Sequence, residues 1–589
     1  MTDANPDAVA GDYLQGRFAA SQQAYGVAAD AFHRAALVEN NPDLIASAFR
    51  YALAAGDIAK ASDYARTMLA APEEQDLSHM MATGSFIETD LPRLTIVAEA
   101  FAANDIAKAD TLLAEPFESP LGISISQLLK GWAAYDLKGV DAGTEILLNP
   151  PNGAFAGFNA LHLALMYDRA GEGGTAELAY GEALVGPAAD TAVVAYTGFV
   201  EREQDRAKAL ELYHKLAADR GFLRRLGRMG AARLDDPLPG ETKEFVRMAR
   251  KAPLRLVSNS REGAALVFQN FAWSAYEQAL QRQEAAEQAG FQGLDLALDF
   301  PLALAQLAAA VDSDLGAAHY VIGAIANAYD QYEVAAAANG RVSRQSWLYN
   351  YAAIDQADAY LSLGREDDAI ALIRDYLKED ALAPDVLLTL ANLLAQNDQF
   401  DGADEAATKG IEVANNLSTD DTRSDNLWRY YFARGAIRVE ADRWEDGEAD
   451  LRQALSLSPN EPMLLNFLGY SYVERGENVD EAFGMIERAL EARPASGAIT
   501  DSLGWAHYQR GNYSEAVKLL ERAVELEPGD DVITDHLGDA YWRDGRKIEA
   551  RFEWRRVLEM DNLSDEMKAK VEAKLAGEPP APGSLAPAE

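Results

Sequence analysis

Small and apolar positions recur along this chain every 34 residues, most clearly between Gly497 and Leu563. The stretch AITDSLGWAHYQRG, ending at Gly511, is matched by VITDHLGDAYWRDG, ending at Gly545. Leu503-Gly504 answers to Leu537-Gly538, Ala516 to Ala550, and Leu520 to Trp554. The pattern predicts two antiparallel helices per repeat. Gly504 and Ala516 lie where the helices face each other, since any larger side chain would push the axes apart. Gly511 falls in the turn, where a residue without Cβ reaches positive φ at little cost. Pro528 follows the second helix and stops it from continuing.

A period of 34 with this set of small residues is that of the tetratricopeptide repeat, a helix–turn–helix unit that stacks into a solenoid. The expected fold is therefore an all-α, TPR-type superhelix of about a dozen repeats, some degenerate. After a flexible lead over 1–8, the register is present from Val9, with Gly16, Tyr25, Ala28, Phe32 and Ala35 in the repeat's places. An N-terminal array with degenerate units is predicted over 9–223, and a divergent helical middle, joining two halves, over 224–315. AAGDIAKASDYA and AANDIAKADTLLA place Gly56 and Asn104 in turns, whereas EEQDLSHMMATGSFIETD has no register. Asn149-Pro150-Pro151-Asn152-Gly153 reads as a breaker. A regular C-terminal array occupies 316–564, with Ala335, Ala369 and Ala403 in step and an insertion at 418–427. One extra residue sits in the turn after Gly476. Residues 565–576 read as a helix that caps the stack with a polar outer face, and 577–589 as a disordered tail.

Composition narrows the task more than the fold. The formal charge is −41, from 53 basic and 94 acidic residues, which argues against nucleic acid as a partner. No apolar run is long enough to span a bilayer, and the start lacks a basic region followed by an apolar core. The absence of cysteine excludes disulfides, thiolate metal sites and an N-terminal lipidated Cys in the sequence as written. Against this acidic background, 220–261 carries eleven Arg and Lys against four acids. Arg224, Arg225 and Arg228 are its candidate docking patch for an acidic partner; internal pairing with acidic neighbours is the alternative.

Nothing points to catalysis, a metal or a cofactor. The seven histidines are scattered, and no GxSxG, GxxxxGK or HExxH occurs. Gly171–Ala176 resembles a GxGxxA only weakly, between two helices where a dinucleotide fingerprint needs a preceding strand. The acidic insertion at 420–425 lacks the turn Gly and terminal Glu of a calcium loop. What remains is protein binding. The first helix of each unit lines the concave face, with the fifth, ninth, twelfth and thirteenth places of the repeat turned inward. In the last three units these include Tyr470; Asp501, Trp505 and Tyr508; and Asp535, Asp539, Trp542 and Arg543. They predict an aromatic stripe flanked by carboxylates that receives an extended or helical segment of another protein. Aspartate at the fifth place would repel a terminal carboxylate. Tyr508 and Trp542, at the twelfth place, have packing on the neighbouring unit as their alternative role.

Three blocks carry a closer likeness: LGYSYVERGENVDEAFGMIERAL, ITDSLGWAHYQRGNYSEAVKLLERAVEL and ITDHLGDAYWRDGRKIEARFEWRRVLEM. They resemble a proteobacterial tetratricopeptide family that includes the lipoprotein partner of a carboxyl-terminal processing protease. The opening, GDYLQGRFAASQQAYGVAADAFHRAAL, is similar to that family's first unit. The resemblance implies a non-enzymatic envelope adaptor that gathers a periplasmic protease and its substrates. The missing signal peptide and lipidated Cys depart from the family and put membrane anchoring in doubt. A cytoplasmic assembly scaffold without a link to proteolysis is the other reading.

Overall fold

The computed structural model describes residues 6–39, 41–70, 90–150, 156–203, 205–218, 221–288, 298–417, 427–560 and 563–577. The predicted lead before Pro6, the insertion before Leu427 and the tail after Gly577 lie outside the described residues. So do Pro151–Gly153 and nearly all of the segment without register between 73 and 90.

Among the described residues every regular element is helical, and most helices form antiparallel pairs. The protein is an all-α, TPR-type α–α solenoid with many helix–turn–helix repeats, some of them irregular. Small residues set the spacing as their period requires. A Cβ on Gly504 would stand 2.8 Å from Leu520, and one on Gly538 would stand 2.4 Å from the Trp554 indole. Turns close in the left-handed region at Gly511 (φ 80°) and Gly545 (φ 90°). Asn104, Asp330, Asp398 and Asp442 take the same conformation at equivalent turns. Short polar side chains are the usual substitutes for glycine there, because they hydrogen-bond locally. In the turn with one extra residue, both Gly476 and Asn478 have positive φ.

The chain divides into two compact units, 1–283 with 295–389, and 284–294 with 390–589. The first unit does not end where the predicted middle segment ends. Helix Asp299–Val311 packs on Pro42–Ala54 and Leu91–Ala102, and also on Gly316–Ala328, so the stack runs on through residue 316. Ahead of it, helix Ser260–Gln288 lies against first helices of the N-terminal repeats. A Cβ on Gly263 would stand 2.3 Å from the fully buried Trp132, and Phe271 meets Phe158 at 4.4 Å. Trp132 Nε1 donates to His162 Nδ1 at 3.0 Å. Burial pushes the His162 imidazole down to about 3, so it stays neutral and serves as an acceptor. Gln306 closes this packing by donating to the Ala54 carbonyl at 3.2 Å, and Gln331 by donating to the Gln23 carbonyl at 3.1 Å.

In the second unit an apolar core runs from Trp444 to Val571, beside a smaller cluster of Trp428, Ala454 and Leu464. The unit's largest fully buried side chains, Trp554, Tyr472 and Tyr508, lie in the best-preserved repeats. Each such burial contributes about 1.5–3 kcal/mol.

Candidate interaction surface

Two capped helices set the phase of the inner face in the last repeats. Gly497–Gln509 starts where Ser496 Oγ accepts the Ile499 N–H at 3.3 Å and Glu527 accepts the Gly497 N–H at 2.8 Å. Asp531–Arg543 starts where Asp530 accepts the Ile533 N–H at 2.8 Å. Such caps satisfy amides that the first turn leaves unpaired. From these starts, Asp501, Trp505 and Tyr508 share one helix face, as do Asp535, Asp539 and Trp542, since positions three and four apart coincide.

These faces build a continuous array. The Tyr508 and Trp505 rings stack at 4.5 Å, and Trp505 stacks on the His536 imidazole of the next repeat at 4.0 Å. His536 Nδ1 lies 2.9 Å from Asp501 Oδ1, and Trp505 Nε1 donates to Glu474. Beyond them, Lys574 Nζ donates to Asp535 Oδ1 and to Asp539 Oδ2, each at 2.7 Å. Burial alone would lower the His536 pKa, but the Asp501 carboxylate against it, with Asp535 and Asp539 near, raises it above the usual histidine value. Burial likewise works against Asp535, yet Lys574 and Lys570 hold it below the ordinary range. Asp539 goes the other way, raised by burial and by the like charge of Asp535.

The predicted stripe is therefore assembled, but it is not open to solvent. Asp501, Trp505, Tyr508, Asp535, Asp539 and Trp542 are all buried, while Tyr470 and Arg543 are half-buried. Tyr508 packs against Tyr513, and Trp542 meets Trp554 at 5.5 Å with Lys547 over its ring. These partners belong to the second helix of the same repeat, while Tyr508 also interacts with Arg543 and Asp539 of the next unit. His536, Lys570 and Lys574 were not legible as part of the array. The one signal was the spacing of the two lysines, four apart on a helix read only as a polar cap.

The basic segment needs a correction. Arg225 and Arg228 are each 3% exposed, so they offer no docking patch. Both converge on the buried Asp380, with Arg225 Nη1 at 2.5 Å. Arg228 also holds Glu241 through two contacts of 2.8 and 2.9 Å, and the Tyr376 hydroxyl donates to Asp380 at 3.0 Å. Isolated charges cannot be buried at this depth without several kcal/mol of compensation each, and mutual pairing supplies it. Burial raises the Asp380 pKa, but Arg228 and Arg225 more than reverse this and hold it below the usual carboxylate range. Arg224 is half-buried. Among the described residues of this stretch, Arg255 and the four cations Lys243, Arg247, Arg250 and Lys251 reach solvent, the four around a shallow hollow also lined by Pro237 and Val246.

Tetratricopeptide repeat sequence models match residues 354–410, 432–497 and 501–530. A TPR repeat-containing protein of Pseudomonas aeruginosa is 28% identical over 206 residues, which take in 33% of this chain and 31% of that protein. The match thus spans under a third of the curated relative's length. Among solved structures, MamA is 24% identical, covering 29% of this chain and 94% of its own, with a TM-score of 0.24. YrrB, titled a TPR protein with an unusual peptide-binding site, is 17% identical over 31% of this chain and 88% of its own, at 0.24. Yeast Tom70 is 13% identical and covers 96% of both chains at 0.34. The repeat matches carry the coarse conclusion that this is a non-enzymatic protein–protein interaction scaffold of the tetratricopeptide class.

Proposed function

We propose that the chain is an adaptor of the cell envelope. Its C-terminal repeats hold a segment of another protein and gather a carboxyl-terminal processing protease with its substrates. The observation that carries this reading is the set of residues on this face that the repeat pattern does not call for: the exposed Glu474 and the buried Asp501, Asp535 and Asp539, with Tyr470 and Trp505. Stacking is served by small and apolar positions such as Gly504, Ala516 and Leu520. Carboxylates on a buried face cost free energy and must be offset by cations, so this face favours a partner segment with basic side chains. The protease link is supported by the resemblance of 428–560 and of the opening repeat to the envelope family.

The test is affinity capture from the native cell with the tagged full chain, beside Trp505→Ala and Tyr470→Ala variants. Capture should weaken in both variants while helicity by circular dichroism is kept. Undiminished capture by both removes the inner face from the reading. Recovery of partners without a protease removes the protease part alone.

A further inference from the structure

The last repeat already carries a helix of the chain itself where a further repeat would place its first helix. Helix Asp565–Ala576 starts 34 residues after Asp531–Arg543, packs on Lys547–Leu558, and carries Lys570 and Lys574, four residues apart, against Asp535 and Asp539, also four apart. Lys570 Nζ stands 3.0 Å from Asp535 Oδ2, and Lys574 Nζ stands 2.7 Å from Asp535 Oδ1 and 2.7 Å from Asp539 Oδ2. Residues four apart share one side of a helix, so this is a register between two helices rather than one ion pair.

A terminal cap needs only a polar outer face. It does not require a lysine buried to 3% exposure in a carboxylate pair, where desolvation opposes both charges. The helix is held less deeply than the second helix of the repeat before it, with Met567 and Leu575 only partly buried against the core. Val571 and Lys574 are its buried residues, whereas Tyr513–Leu526 buries Ala516, Val517, Leu520, Ala523 and Val524. The receiving side also has unused capacity. Asp539 Oδ1 is buried and has no hydrogen-bond partner among the described residues, so the resident lysine leaves one acceptor unfilled.

We propose that Asp535 and Asp539 form a receptor for a partner helix bearing two lysines four residues apart, and that the chain's own C-terminal helix occupies it until displaced. This rests on the reading of the inner face as a partner site and names the chemistry it selects. The resident helix supplies the specificity rule: a lysine, three residues with an apolar one first, and a second lysine, as in Lys570-Val571-Glu572-Ala573-Lys574. Occupation in cis makes the site answer only to partners that outcompete a tethered copy.

The probe is a fluorescein-labelled peptide of residues 563–577, titrated by anisotropy into the full chain. A Lys570→Ala/Lys574→Ala chain should bind it about tenfold or more tightly than the native chain. Adding Asp535→Asn/Asp539→Asn should return binding to the native level. Equal binding by native and lysine-substituted chains, or binding indifferent to the aspartates, overturns the proposal. If the lysine variant does not fold, hydrogen exchange on the native chain decides. Amides of 565–576 should exchange about tenfold or more faster than those of Asp531–Arg543, through opening of that helix alone. Equal protection overturns the proposal. Failure here, with capture still dependent on Trp505, leaves the broader adaptor reading standing. Peptide binding with capture indifferent to Trp505 and Tyr470 sinks that broader reading instead.

Discussion

His536 Nδ1 lies 2.9 Å from Asp501 Oδ1, across the boundary between two successive repeats, while its ring stacks on Trp505 at 4.0 Å. One imidazole thus ties a carboxylate and an indole of one repeat to the next. Stacking geometry alone would be met by any flat side chain. The ion pair makes this junction depend on protonation.

That dependence has a definite sign. The His536 pKa is raised on folding, burial opposing and Asp501 prevailing. Its stabilisation is complete below the unfolded value of about 6.5 and is lost as pH rises through the higher folded value. The melting temperature of the native chain should therefore fall between about pH 6 and 9 more than that of His536→Gln, since hydrogen bonds to charged groups are worth roughly 1.5–3 kcal/mol. Parallel curves for the two chains would show that the pair carries no linked proton.

Asp380 anchors Arg225 and Arg228, and its loss would strand two buried guanidinium groups. Asp380→Ala should cost about 3–5 kcal/mol in denaturant unfolding, the range for breaking a buried pair from one side. Because its pKa is depressed in the fold, the native contribution is present above about 3.9 and vanishes as pH falls through the folded value. Arg225→Glu should be comparably destabilising. An Arg225→Glu chain as stable as the native would mean that the arginine serves outside the fold.

Two glycine substitutions should move in opposite directions. Gly538→Ala puts a methyl 2.4 Å from the Trp554 ring and should cost about 1–3 kcal/mol through overpacking. Gly484, inside helix Val479–Ala492, would meet nothing within 4 Å. Gly484→Ala should therefore stabilise by about 0.5–1 kcal/mol, through helix propensity. Thermal melts of the two variants beside the native chain check both signs.

Burial, with the like charge of Asp358, pushes the Asp355 carboxyl up to about 7. Tyr276 and Tyr320 interact with it electrostatically, and no cation pairs with it among the described residues. Native Asp355 therefore holds its proton where the unfolded chain has released it, and stability falls as pH rises from about 4 to 7. Asp355→Asn should raise the melting temperature at about pH 8 and change it little near pH 4. An unchanged melt at the higher pH would show that the carboxylate is offset.

The fold was legible because its determinants repeat. Gly504 over Gly538 and Ala516 over Ala550 each state the same steric requirement one period apart. The candidate surface was legible in its members and not in its exposure. Asp501, Trp505, Asp535 and Asp539 stood out as residues the repeat does not need, but what covers the two aspartates comes from the helix after the last complete repeat. Lys574 reaches Asp535 across 39 residues, from a helix that starts one period after Asp531–Arg543 but lacks the repeat's small and aromatic residues. Arg225 and Arg228 likewise find Asp380 at separations of 155 and 152 residues. A cluster of basic residues in sequence says nothing of the distant carboxylate that neutralises it.

The packing of Ser260–Gln288 and Asp299–Val311 on the early repeats has a consequence for the order in which the protein can be completed. Repeat arrays usually consolidate from neighbour to neighbour as they emerge from the ribosome. Here Trp132, Phe158 and His162 find their lids in residues 263, 271 and 270, and the Gln23 turn meets Gln331 across 308 residues. Those aromatic side chains must therefore wait uncovered until residue 271 of 589 has been made, and the Gln23 turn waits until more than half of the chain is complete. Any fragment that stops at the apparent end of the early repeats carries those side chains bare.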